Sequence, residues 1–259
     1  MEGNDDIRDV VREKYGEIAE GKRSGCGCGG DCCPDVLLTL GYTAEQQAAL
    51  PAGADLGLGC GNPLAHAALR PGETVLDLGS GAGVDCFLAA REVGASGHVI
   101  GVDMTPAMVS RARANAARGG YARVEFRLGE IENLPVADAS VDCVISNCVV
   151  NLSPDKPRVF REARRALRPG GRLLVSDLVL TRPLAEEQRS DVALYVGCVA
   201  GAAMRDDYLA MIRDAGFVGV EVAEERAYTV GLETLPAGDP RREAFAAVVP
   251  VKVRARKPA

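Results

Sequence analysis

A glycine-rich segment at residues 74–83, TVLDLGSGAG, constrains the fold of this chain more than any other feature. Its apolar start, residues 75–78, predicts a buried strand, and residues 84–93 predict a helix directly after the turn. A strand that enters a helix through a glycine turn begins an open α/β sheet that binds nucleotides. The glycines do not have the spacing of the dinucleotide fingerprint, and Asp77 precedes the turn, so we expect a ligand that carries positive charge.

The next segments repeat this alternation of strand and helix. Residues 97–104 predict a second strand, and its Asp103 follows the turn at about the distance at which an acid reaches ribose hydroxyls. Thr105 and Pro106 are typical of a helix start. Further strands are expected at 121–128, 141–146, 172–177, 218–230 and 246–253, with a loop at 129–135 and helices at 107–118 and 156–167, the second stopping at the sequence RPGG, 168–171.

Four of these segments resemble S-adenosylmethionine-dependent methyltransferases of the Rossmann-like class. They are VLDLGSGAG at 75–83, GVDM at 101–104, GEIENLP at 129–135 and LRPGGRL at 167–173. The resemblance implies a class I methyltransferase fold: an α/β protein with a mostly parallel seven-stranded sheet, helices on both faces, an N-terminal helix and a C-terminal extension.

The same resemblance implies S-adenosylmethionine as the cofactor. Gly79 and Gly81 would pass under its methionine part, and Asp103 would bind the ribose hydroxyls. Met104 and Ile131 would flank the adenine. Glu130 would meet the adenine amino group, although Asp is commoner there. The full set of predicted cofactor residues is Asp77, Gly79, Ser80, Gly81, Asp103, Met104, Glu130, Ile131 and Asn147.

The nine cysteines of a chain without a recognisable export signal indicate thiols used for metal or redox chemistry rather than a disulfide framework. Four of them, Cys26, Cys28, Cys32 and Cys33, lie among glycines in residues 25–34, where they are poorly placed to serve as small core residues. This pattern favours a thiophilic ligand over a disordered linker. A structural zinc site stays possible, although paired C-x2-C knuckles are absent.

The other cysteines occupy predicted elements. Cys60 lies beside the helix start at Asn62, which favours a thiolate. Cys148 follows the fourth strand, at the edge of the sheet where ligands bind, and Cys198 lies in residues 195–203, where this fold carries a lid. The remaining two, inside a predicted helix and strand, are expected to be core residues: Cys86 and Cys143.

These cysteines extend the resemblance to one branch, the arsenite S-adenosylmethionine methyltransferases. The matching segments are VREKYG at 11–16, GLGCGNP at 57–63, SNCVVNLSPD at 146–155 and GCVAG at 197–201. The resemblance implies that Cys60, Cys148 and Cys198 bind arsenic, with a fourth catalytic thiol nearer the N-terminus. Spacing favours Cys32 or Cys33 and leaves the choice open. Animal members carry tyrosines where Leu56 and Leu58 stand here.

The implied chemistry agrees with the residue types. Three thiolates hold soft trivalent arsenic and leave its lone pair free to attack the sulfonium methyl group, so no general base is needed. Arsenite and methylated arsenicals would be the substrates. Electrons would come from thiols, and an external thiol reductant, thioredoxin or glutathione, would reset the enzyme. The two histidines, His66 and His98, are expected to be structural.

Composition excludes several other partners. A net charge of −6 without a long basic block argues against nucleic acid. No apolar run reaches the roughly 18 residues of a membrane span, and the acidic start differs from a signal peptide, so a cytoplasmic protein is expected. We expect an N-terminal part at 1–70 with a helix at 6–20, a cofactor-binding core at 71–180 and a lid with sheet-completing strands at 181–259.

Two other classes of function share part of these features. A carbon- or oxygen-methylating enzyme of quinone or sterol type would have the cofactor motifs but no use for the thiols. A thiol-rich metalloid-binding protein would use the thiols but not the cofactor motifs.

Overall fold

A computed structural model describes residues 4–23, 36–226, 235–236, 238–239 and 241–259. Its strands are β1 (Thr74–Leu78), β2 (His98–Asp103), β3 (Val124–Leu128), β4 (Val141–Asn147), β5 (Leu167–Leu180), β6 (Val218–Glu225) and β7 (Val248–Arg256). Its helices are α1 (Asn4–Ala19), α2 (Val36–Thr39), α3 (Ala44–Ala48), α4 (Val84–Val93), α5 (Pro106–Gly119), α6 (Lys156–Ala166), α7 (Glu186–Arg189), α8 (Val192–Val196), α9 (Arg205–Asp214) and α10 (Arg241–Phe245). Two short 3-10 helices span Pro63–His66 and Val150–Leu152.

The strands form one sheet in the order β3-β2-β1-β4-β5-β7-β6. Strands β1 to β5 pair in parallel, and β7 pairs antiparallel with both β5 and β6. This arrangement confirms the predicted mostly parallel seven-stranded sheet. The order reverses between β1 and β4, which is where ligands bind in open sheets of this type.

Helices cover both faces of the sheet, because alternate strand residues point to opposite sides. Leu76 and Val144 belong to a buried cluster that includes residues of α6 and α9. Their neighbours Val75 and Ile145 belong to a second cluster with residues of α4 and α5. Both faces are therefore packed, as expected for parallel strands with continuous apolar sequences.

Strand β5 is longer than the sequence indicates. The RPGG segment, predicted to separate a helix from a strand, is part of β5, and the backbone N–H of Gly170 donates to the carbonyl of Lys257. From Arg172 to Leu180 the strand pairs with β7. Lys257 thus extends β5 before the predicted range, and β7 extends it beyond that range. Strand β6 ends at Glu225, and the predicted residues 227–230 lie outside the described ranges.

The predicted N-terminal helix is present as α1, which contacts α5. Its buried residues Ile7, Val11 and Ile18 follow helical spacing, so one face of α1 packs on the protein. Among the helices in the described ranges, none combines the length and the apolar character needed to cross a membrane.

Candidate active site

A cavity of about 420 Å³ lies at the carboxyl ends of the parallel strands, within the size range of pockets that bind small molecules. The loops after β1, β2 and β4 supply its floor, through residues such as Gly79, Asp103 and Cys148. Residues of α1 and α8 also line it. The parallel order of the strands brings these loops together although they are far apart in the sequence.

The glycine turn provides a backbone surface for a ligand. Gly79 and Gly81 have φ values of +66° and +52°, a region that suits glycine. A Cβ atom on Gly79 would overlap Val149, whereas one on Gly81 would have no neighbour within 4 Å. The buried hydroxyl of Ser80 has no hydrogen-bond partner within the described structure. Open space above Gly81 and an unpaired hydroxyl fit the close approach of a polar ligand such as S-adenosylmethionine.

Two buried carboxyl groups, Asp77 and Asp85, face this end of the cavity. Burial, and then the nearby Asp85, raise the pKa of Asp77 well above its usual value. Burial raises the pKa of Asp85 to about 6, although hydrogen bonds from Tyr42 and Asn147 act to lower it. A bound cation would offset both effects, which agrees with a cationic ligand. Sequence analysis missed Asp85, since an acid in the first turn of a helix is an ordinary helix feature.

Of the residues predicted to contact the ribose and the adenine, three line the cavity and one does not. Asp103 accepts hydrogen bonds from the backbone N–H groups of Gly81 (2.9 Å) and Thr105 (2.8 Å) and lines the cavity. Met104 and Ile131 also line it. Glu130 does not, and its carboxylate forms ion pairs with arginines of α1, including Arg12 at 3.6 Å.

Eight of the nine predicted cofactor residues therefore line one cavity, namely Asp77, Gly79, Ser80, Gly81, Asp103, Met104, Ile131 and Asn147. The contact of Glu130 with an adenine amino group stays a prediction.

Two of the predicted thiols line the same cavity. Cys148 and Cys198 both have left-handed backbone conformations, with φ values of +58° and +63°. Such conformations are costly for residues other than glycine and occur preferentially at functional sites. The Cys198 Sγ donates to the Cys148 carbonyl at 3.0 Å. The two cysteines thus come from separate elements and meet at the cavity wall.

Cys60 lies behind Cys148, outside the cavity lining. Its backbone N–H donates to the Asn147 side chain at 3.1 Å, and its Sγ lies 3.4 Å from the carbonyl of Ser176 on β5. Hydrogen bonds with the thiols of Cys198 and Cys60, together with burial, raise the pKa of Cys148 well above its usual value. The three thiols therefore form one cluster with Cys148 in the middle.

The expectation of a Cys60 thiolate was wrong. Burial raises the pKa of Cys60, and the helix that follows Asn62 is a four-residue 3-10 helix, Pro63–His66. A short helix contributes little macrodipole, so desolvation of the thiolate outweighs it. The thiol form of Cys60 is favoured.

A buried acid, Asp177, completes the surroundings of the thiols. One of its carboxylate oxygens and the Sγ atoms of Cys60 and Cys148 all lie within 4.8 Å of one another. Tyr208 donates to Asp177 at 3.0 Å, and burial raises the pKa of Asp177 to about 7. No local motif marks this acid, which follows an apolar strand segment.

The remaining predicted residues separate into three groups. Cys86 and Cys143 are fully buried core residues, as expected. The histidines have structural partners, since His66 pairs with Glu224 at 2.9 Å and His98 with Glu125 at 3.0 Å. The N-terminal cysteines lie outside the described residues: Cys26, Cys28, Cys32 and Cys33.

Comparison with known proteins supports the same class of chemistry. A family model described as a methyltransferase domain matches residues 69–216. An arsenite methyltransferase from Halobacterium salinarum is 52% identical over 267 residues, covering 98% of this chain and 68% of the relative. An arsenite methyltransferase from Aquipseudomonas alcaligenes is 47% identical over 179 residues, covering 66% of this chain and 51% of the relative.

A solved structure agrees with these matches. An arsenic(III) S-adenosylmethionine methyltransferase from Chlamydomonas reinhardtii has a TM-score of 0.66 and 35% identity, over 87% of this chain and 74% of that chain. The fold is the Rossmann-like class I methyltransferase fold, and the protein is an S-adenosylmethionine-dependent methyltransferase. On the identity and coverage shared with the archaeal relative, this chain belongs to the arsenite methyltransferase family.

Proposed function

We propose that this protein transfers a methyl group from S-adenosylmethionine to trivalent arsenic held by Cys60, Cys148 and Cys198. The observation that carries the proposal is the meeting of three cysteines beside the cavity that eight predicted cofactor residues line: the Sγ atoms of Cys60 and Cys148 lie within 4.8 Å of each other, and the Cys198 Sγ lies 3.0 Å from the Cys148 carbonyl. Trivalent arsenic is soft and favours sulfur ligands. A methyltransferase acting on carbon or oxygen would have no use for this cluster.

The protonation of the thiols supports arsenite as the incoming substrate. Each As–O bond of arsenous acid that is replaced by an As–S bond releases one hydroxyl group, which leaves as water with the thiol proton. The raised pKa values of Cys60 and Cys148 keep these thiols protonated until arsenic arrives. Three thiols therefore bind one arsenic and release three waters without a separate base.

S-adenosylmethionine supplies an electrophilic methyl group on a positively charged sulfur. The chain's residues would orient it, with Asp77 and Asp85 near its cationic methionine part and Asp103 at the ribose. Cys148 and Cys198 line the same cavity, so the arsenic lone pair would face the methyl group. Methyl transfer consumes that lone pair and oxidises arsenic from the trivalent to the pentavalent state.

Return to trivalent arsenic requires two electrons. We propose that two thiols supply them by closing a disulfide, with the fourth thiol from Cys32 or Cys33. An external thiol reductant in the cytoplasm, either a thioredoxin-type protein or glutathione, would then reduce that disulfide. The division into an arsenic-capture part at 1–70, a cofactor core at 71–180 and a lid part at 181–259 belongs to the same proposal.

The test uses purified protein with S-adenosylmethionine, a thiol reductant, and either arsenite or monomethylarsenite, which has one valence occupied by carbon. Cys148→Ser and Cys198→Ser are each expected to abolish methylation of both substrates. Cys60→Ser is expected to abolish methylation of arsenite and to leave part of the activity on monomethylarsenite, which needs only two thiols.

Cys143→Ala, a core thiol of β4, serves as the control and is expected to keep the activity on both substrates. Tight arsenic binding without methylated product in the wild-type protein would indicate a metalloid-binding protein instead. Activity of Cys148→Ser on monomethylarsenite would contradict the assignment of the thiols.

A further inference from the structure

The segment VREKYG at residues 11–16 is one of those that resemble the arsenite methyltransferases, but none of its residues takes part in the proposed chemistry. In the structure it lies in α1, and its Tyr15 lines the cavity. The Tyr15 hydroxyl donates to the backbone carbonyl of Val196, at the end of α8, at 3.1 Å. One hydrogen bond thus joins α1 to α8 through two residues that are 181 positions apart in the sequence.

Tyr15 also lies beside the thiols that we propose as arsenic ligands. It lines the same part of the cavity wall as Cys148 and Cys198. Tyr15 packs in the same apolar cluster as both cysteines and Met104. The hydroxyl is therefore placed between the lid backbone and the thiol cluster.

Cys198 depends on such contacts because its conformation is strained. Its φ of +63° must be held by the surrounding structure. Its N–H donates to the Tyr195 carbonyl at 2.9 Å, and its Sγ donates to the Cys148 carbonyl. The second bond needs the thiol proton, which is lost when sulfur binds arsenic. The bond from Tyr15 to Val196 does not involve the thiol proton, so it can form whether or not the Cys198 sulfur binds arsenic.

We propose that Tyr15 is a positioning residue for arsenic binding, whose hydroxyl ties α1 to the turn after α8 and thereby holds Cys198 opposite Cys148. This inference rests on the proposed function. It predicts that the loss of one hydroxyl group lowers the number of sulfur atoms on arsenic more than it lowers the affinity for the cofactor.

The lid provides a matched control. Tyr195, also partly buried, lies in α8 itself, and its hydroxyl donates to the Leu152 carbonyl at 3.1 Å. It is not among the residues that line the cavity. Tyr195→Phe therefore removes the same kind of bond, of the same length, from the same lid, but not the link to α1.

The experiment compares Tyr15→Phe, Tyr195→Phe and wild-type protein. For Tyr15→Phe, kcat/KM for arsenite is expected to fall roughly two- to tenfold, the range that one neutral hydrogen bond contributes. X-ray absorption at the arsenic edge is expected to show three sulfur neighbours in the wild type and fewer on average in Tyr15→Phe. Affinity for S-adenosylmethionine is expected to stay within about twofold, as for a residue that acts through Cys198.

Tyr195→Phe is expected to keep three sulfur neighbours and an arsenite kcat/KM within about twofold of the wild type. The inference is overturned if Tyr15→Phe keeps the wild-type sulfur count, or if both variants lose activity equally. A wild-type protein that makes no methylated arsenic would overturn the proposed function instead, so the two failures are distinguishable.

Discussion

Substitution of Gly61 tests the placement of the Cys60 thiol most directly. Gly61 does not have a positive φ, so the backbone itself would accept alanine. A Cβ atom at this position, however, would lie 2.2 Å from the Ser176 Oγ. The Ser176 carbonyl also accepts the N–H of Cys148 at 2.8 Å. The overlap is relieved either by rotation of the Ser176 hydroxyl, which lies 3.9 Å from the Cys60 Sγ, or by a separation of the Cys60 loop from β5. Both changes disturb the contact that places Cys60 beside Cys148.

The magnitude follows from how tightly this contact is packed. Gly61 and Ser176 are both buried, and an extra methyl group in a packed interior costs about 1–3 kcal/mol. Removal of the Ser176 Oγ leaves the Lys252 Cε and the Ser176 Cβ, each at 3.4 Å, as the nearest atoms to the new Cβ. Those distances are ordinary contacts. Gly61→Ala with Ser176→Ala is thus expected to recover most of the lost free energy of unfolding.

The assay combines chemical denaturation with arsenite methylation for the wild type, both single variants and the double variant. Gly61→Ala is expected to lose stability by the amount above and to lose most arsenite methylation, while Ser176→Ala stays close to the wild type. The double variant is expected to regain both properties, with a coupling free energy of about 1–2 kcal/mol. Full methylation by Gly61→Ala alone, or a stable but inactive double variant, would refute this account of the thiol cluster.

Two further predictions concern the cofactor site. Asp103→Ala removes a carboxylate that would bind the ribose, and hydrogen bonds to charged groups contribute about 1.5–3 kcal/mol. Calorimetry is therefore expected to show roughly ten- to hundredfold weaker S-adenosylmethionine binding with little change in arsenite binding. Unchanged affinity for the cofactor would remove Asp103 from the site. Asp85, with a pKa of about 6, is negative above that pH and neutral below it, so affinity for the cationic cofactor is expected to fall as the pH drops from about 7 to 5. Asp85→Asn is expected to bind weakly and to show a shallower slope, with Asp77, whose pKa is also raised, supplying the rest. An identical slope in the variant would exclude Asp85 as a source.

Local sequence determined the frame of the fold and most of the residues that we predicted for the cofactor and that line the cavity. The apolar run before Gly79 specified a buried strand, and the glycine spacing specified a turn that few other residues could make. Asp103 could be placed because a strand end has a fixed position relative to its neighbours in a parallel sheet. The same rule put Cys148 at the ligand-binding edge. These features depend on chain periodicity and on backbone conformations that neighbouring residues dictate.

Tertiary structure decided which side chains meet. Tyr15 forms a hydrogen bond with the lid residue Val196, 181 positions away, and Asp85 accepts hydrogen bonds from Tyr42 and Asn147 of other elements. Glu130 was expected at the adenine and pairs with arginines of α1, which no local pattern reveals. Such contacts depend on how elements pack, and each one joins groups whose separation in the sequence carries no signal.

Protonation of the thiols likewise came from packing. Beside a helix start, the sequence favoured a Cys60 thiolate, but burial against β5 raises its pKa. The extension of β5 through the RPGG segment has the same origin, since Lys257, directly after β7, exchanges backbone hydrogen bonds with Gly170 and Gly171. The sequence sets the chemical groups that each residue carries. The folded chain excludes solvent and brings distant residues together, and these two effects decide the charge state and the neighbours of each group.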